Sequence, residues 1–187
     1  MSEFEFLIVF ISVVIGLGVT HILHGVGRII HNRGRIEVDT VHALWTANVL
    51  LILVLNWWVS FSWGDFTAWS FDIYLVLIVW AISLYMMAVI LYPPDIRGDE
   101  SYTELFERNR QWLFGMFILM IGLDIAQTAL RGDLFSPPIY LPFVLHYALL
   151  AAIGIVVSNR RYQMFFAWWV LVSLTVWSLV VRRLLEG

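Results

Sequence analysis

The chain has 187 residues, of which 61% are apolar and only 13% charged, with a mean hydropathy of +0.84. A soluble domain carries roughly 45–50% apolar and about 25% charged residues, so this composition excludes a water-soluble globule, and its ample apolar surface excludes disorder. The net charge of −3 leaves no electrostatic footprint for nucleic acid, and with no Lys and no Cys the chain has no Schiff-base lysine, thiolate nucleophile, iron–sulfur cluster, Cys-ligated zinc or disulfide.

A helix needs roughly 20 apolar residues to cross the hydrocarbon core. Six segments qualify, at about 4–30, 40–63, 70–92, 112–131, 139–158 and 163–184. Their continuous apolar character favours helices over the alternating strands of a membrane barrel. The expected fold is therefore an all-α integral membrane protein, a single six-helix transmembrane bundle over 1–187. Short connections punctuated by Gly64–Asp65, Pro93–Pro94, Gly132–Asp133 and Pro137–Pro138 predict antiparallel packing of sequential helices.

The first span carries His21, His24, Arg28 and His31 in steps of three and four, a stripe within an arc of about 80° and about 15 Å long. Gly16 and Gly27 border it on one side, Gly18 and Gly25 on the other, which predicts a cleft between close-packed neighbours, with the stripe starting near mid-membrane. The second span adds His42 near its start and Asn48 and Asn56 on one face. The third and sixth contain no buried charge, and the expectation is that they face lipid or a second subunit. Between the third and fourth spans, Ser101 and Glu104 have capping-box spacing, and 101–111 reads as a short amphipathic helix lying on the cytoplasmic surface.

The fourth span has its own stripe, Asp124, Gln127 and Arg131, and Asp124 is the only acid deep in any span. His146 on the fifth is expected at a depth similar to that of Asp124. Ile15–His21 aligns without a gap to Ile121–Gln127 with three identities, a faint echo that would make the two three-helix halves an inverted repeat. Arg28, Arg33, Arg35, Arg97, Arg108, Arg110, Arg160 and Arg161 fall on one side, against Arg131, Arg182 and Arg183 on the other. The positive-inside rule then places both termini on the non-cytoplasmic side, as in a bacterial inner (plasma) membrane. Trp57, Trp58, Trp63 and Trp69 would form an outer aromatic belt, and Trp112, Trp168 and Trp169 an inner one.

Ionisable side chains at bilayer depth are costly and usually face the bundle interior. The leading expectation is a proton or small-ion path through His21, His24, Arg28, Asp124, Gln127 and His146, with His42, Asn48, Asn56 and Arg131 as secondary polar positions. A non-catalytic subunit or assembly partner of a larger membrane complex, or a homo-oligomer, is the alternative. A third reading is a redox protein holding b-type haem or a metal on two of His21, His24, His42 and His146 from different helices, with His24 and His42 nearest in depth. No nucleotide-binding loop, dinucleotide fingerprint or hydrolase elbow is present, and no catalytic residue is assigned.

Overall fold

A computed structural model of the chain describes residues 3–32, 37–94 and 101–185, with side chains through 179. Arg33, Arg35 and Arg97, which bear on the orientation, lie outside the described residues, and Arg182 and Arg183 are described in their backbone only. The described residues form six helices and no strand: α1 Glu3–His31, α2 Thr40–Ser60 with a 3-10 turn at Phe61–Trp63, α3 Phe71–Leu91, α4 Tyr102–Arg131, α5 Tyr140–Val156 and α6 Arg160–Leu185. Five are long and apolar enough to cross a membrane. The sixth, α5, has 17 residues, about 26 Å of helix.

The helix ends follow local chemistry. Asp39 caps α2 by accepting the His42 N–H at 2.7 Å, and Ser101 with Glu104 forms a reciprocal capping box on α4. Gly132, at φ 89°, closes α4 in the left-handed conformation that side chains resist.

Around the bundle the helices run α1, α3, α4, α5, α6, α2, and α2 also touches α3 and α4. Three expectations change here. Residues 101–111 are not a separate surface helix but the first turns of α4, continuous through Arg131. No breaker interrupts the chain after Gln111, and Tyr102, Leu105, Phe106, Leu113, Phe114 and Phe117 keep one apolar face buried along the whole length. The third helix is not peripheral either: α3 lies between α1 and α4 and buries Leu77, Trp80, Leu84, Met87 and Leu91. Lack of charge does not separate a lipid-facing helix from a buried one, because protein interior and acyl chains are equally apolar. Trp63 likewise is buried instead of standing in an aromatic belt.

An aromatic knot closes the middle. Trp45 lies 5.0 Å from the Phe114 ring and 5.3 Å from Phe166, which is itself 5.4 Å from Phe114, in the tilted and edge-on geometries that ring quadrupoles favour.

Candidate functional site

Polar side chains gather at two centres. The first surrounds the C-terminal end of α3. A helix leaves its last carbonyls without partners, and here two imidazoles from different helices serve them: His42 Nε2 donates to Leu91 O at 3.0 Å and His21 Nε2 to Tyr92 O at 2.7 Å. A carbonyl only accepts, so both Nε2 atoms carry hydrogen. The Tyr92 ring stands edge-on to His42 at 4.8 Å, as does Tyr102, and the Tyr92 hydroxyl pairs with Thr46 Oγ1 at 3.0 Å. Beside them Asp39 accepts from Thr103 Oγ1 and pairs with Arg160, joining the starts of α2, α4 and α6. Burial pushes the Asp39 carboxyl up, but the His42 N–H, the Arg160 guanidinium and Thr103 outweigh it and hold the group below its ordinary value.

The second centre lies near the C-terminal end of α4. Asp124 accepts from Gln127 Nε2 at 2.9 Å on one oxygen and from the Tyr140 hydroxyl at 2.7 Å on the other. Thr128 Oγ1 lies 3.0 Å from Tyr140 Oη and 2.8 Å from the Asp124 carbonyl. The carboxyl borders a cavity of about 30 Å³, room for one or two water molecules, walled by Ser60, Trp63, Trp80, Gln127, Thr128 and Arg131. Arg131 sits at 5.7 Å over the Trp63 ring, bonded to Ser62 and paired with Asp133.

These centres do not meet. Tyr102 marks the level of the first, and Asp124 follows it on α4 by about 33 Å at about 1.5 Å per residue. Phe114 and Phe117, part of the aromatic knot, lie between. His21 is therefore at the end of the bundle, level with His42, and not near its middle. From there α1 runs on for about 15 Å, carrying His24, Arg28 and His31 past the end of α3. His24 and His31 are exposed. Arg28 is half-buried, and its Nε has no hydrogen-bond partner.

His146 is not with Asp124. It lies about 9 Å further along α5 than Tyr140 and accepts from Trp169 Nε1–H of α6 at 3.0 Å. Asn48 ties α2 to α6 through the Ala167 carbonyl at 2.9 Å, and Asn56 returns to its own helix at Ile52 O. His42, read from sequence as a boundary residue, is buried. As for a metal or haem, no group of three His, Asp or Glu with metal-holding geometry occurs among the described residues. The two histidines at matched depth are His21 and His42, and their Nε2 atoms are spent on α3.

Three participants escaped the sequence reading. Tyr140 and Thr128, which complete the Asp124 hydrogen bonds, carry no charge that would mark them in a membrane span. Arg110 counted only as a positive-inside charge. It is buried, pairs with Glu107 at 3.2 Å, and donates to the carbonyls of Gly154, Ile155 and Val157 and to Ser158 Oγ, capping the C-terminus of α5. The favourable match between a cation and a helix C-terminus was the available signal, but nothing in the sequence says which helix end it reaches. No family model, curated protein or solved structure matches this chain, so the assignment below rests on its own residues.

Proposed function

We propose that the protein crosses the membrane six times with both termini on the non-cytoplasmic side, and that it moves protons or small ions, loading them at Asp124. One observation carries the reading: an intramembrane carboxyl has both oxygens hydrogen-bonded and borders a polar cavity between helices. Intramembrane carboxyls facing such cavities are the usual material of ion pathways.

The local hydrogen bonds suit a group that gains and loses a proton. With Asp124 ionised, Thr128 donates to Tyr140 and Tyr140 to the carboxylate, which only accepts. With Asp124 protonated, its O–H donates to Tyr140, Tyr140 to Thr128, and Thr128 to the Asp124 carbonyl. Only hydroxyl hydrogens rotate between the two states, so neither leaves a stranded donor. Passage onward requires the rings of Trp45, Phe114 and Phe166 to part, which makes the knot the gate and the His21–His42 end the far side.

The test is proton flux in proteoliposomes with a lumenal pH dye. Asp124→Asn abolishes flux while the protein still elutes as a folded species, and Tyr140→Phe slows it. Equal flux in the parent and Asp124→Asn, or none in the parent, refutes the reading.

A further inference from the structure

We propose that the species handled at Asp124 is the proton, delivered by a water molecule held between the indole N–H of Trp80 and the amide oxygen of Gln127. The inference rests on the transport reading above and names its cargo.

Trp80 and Gln127 both line the Asp124 cavity, and both are almost completely buried, at 1% and 4% exposure. Trp80 Nε1 and Gln127 Oε1 have no hydrogen-bond partner among the protein atoms. One of these atoms can only donate and the other can only accept. A buried polar group without a partner is costly, so the pair selects for an occupant that meets both demands. A bare alkali cation would engage the amide oxygen but face the positive end of the indole N–H dipole, with the Arg131 guanidinium bordering the same cavity. An anion would satisfy the indole and meet the amide oxygen and the carboxylate. Water alone of these accepts from Trp80 and donates to Gln127, and the cavity is of its size.

The transfer balances simply. As a proton bonds to this water on one side, the water's O–H bond toward Asp124 breaks and an O–H bond forms on the carboxylate, so the water stays neutral throughout. Gln127 Nε2, donating to Asp124 Oδ1 at 2.9 Å, keeps the carboxyl oriented.

Two measurements on the full chain in liposomes test this. The first is the infrared band of a bound, non-bulk water O–D stretch, expected in the parent and absent in Trp80→Phe, which puts a smaller aromatic ring in place of the indole and removes the N–H. Gln127→Leu, which removes the acceptor, is the second variant should the first not fold. The second is flux under separately imposed pH, Na⁺ and K⁺ gradients. Proton flux alone is expected, falling about fivefold in Trp80→Phe, the rate equivalent of one neutral hydrogen bond. Na⁺ or K⁺ flux lost in Asp124→Asn overturns the proton assignment and leaves the transport reading standing. Proton flux with no bound-water band, or unchanged in both variants, overturns the water. No flux of any ion overturns the transport reading and this proposal together.

Discussion

Replacing Gly25 with Ala puts a methyl group into the most constrained contact in the bundle. A Cβ there would lie 2.3 Å from Tyr92 Cδ1 and 2.5 Å from Cγ, where ordinary contact begins at 3.4 Å, so ring or helix must retreat by about 1 Å. The ring has little freedom to do so. Its hydroxyl is bonded to Thr46, its ring makes a perpendicular contact with His42, and the Tyr92 carbonyl accepts from His21. Overpacking of this kind costs about 1–3 kcal/mol, and loss of the Thr46 hydrogen bond adds about 1 kcal/mol. The gain in helix propensity from Gly to Ala offsets about 0.5–1 kcal/mol of that. The net loss is about 1–3.5 kcal/mol, a fall in Tm of about 2–14 °C for a chain of this length. Gly27, two residues on, meets nothing within 4 Å, so Gly27→Ala should raise Tm by about 1–4 °C. Thermal unfolding in detergent followed by circular dichroism reads both. A Gly25→Ala protein as stable as Gly27→Ala refutes the packing argument. In a cycle with Tyr92→Ala, the double variant should lose less than the sum of the singles, since one ring carries the clash.

Other consequences are more local. Asp39 is held below its ordinary value of 3.8, so its stabilising contribution is complete above about pH 4 and disappears as pH falls through the lower folded value. Asp39→Asn, which keeps a capping oxygen but loses the charge that pairs with Arg160, should therefore lower Tm at pH 7 by the equivalent of about 1–3 kcal/mol and flatten the acid limb of a Tm–pH profile; an unchanged acid limb contradicts the clasp. Arg110→Met strips the cap from α5 and should cost about 2–4 kcal/mol, while exposed Arg161→Met stays within about 0.5 kcal/mol, again by thermal unfolding. His21→Ala uncovers the Tyr92 carbonyl and should cost about 1 kcal/mol, whereas His24→Ala, one turn away, should be within about 0.5 kcal/mol; equal effects would show that the ring does not cap α3.

Much of the architecture was legible because a bilayer imposes one rule on every crossing segment: backbone groups are satisfied within the helix, and the side chains are apolar for about 20 residues. Helix positions, the capping box at Ser101 and the stop at Gly132 follow from residue type and spacing, which act within a few residues of themselves. Continuity of α4 through Gln111 was misread because a charged first turn looks the same on a surface helix as on the overhang of a long one.

Neighbours are decided elsewhere. The stripe on α1 is a true helical face, yet composition could not say that α3 lies beside it, or that His21 meets the end of that helix and not the carboxyl of α4. Gly18 and Gly25 differ from Gly16 and Gly27 only by what stands opposite. Asp124 was marked by sequence as an unusual acid; its partners Tyr140, Thr128 and Gln127, and the facing Trp80, became a site only when α3, α4 and α5 were brought together. Local propensity and the membrane's demand for apolar length act on a single segment, and so the chain by itself determined the helices. Which faces meet depends on the fit of side chains distant in sequence between surfaces of equal polarity, and that only the tertiary structure decided.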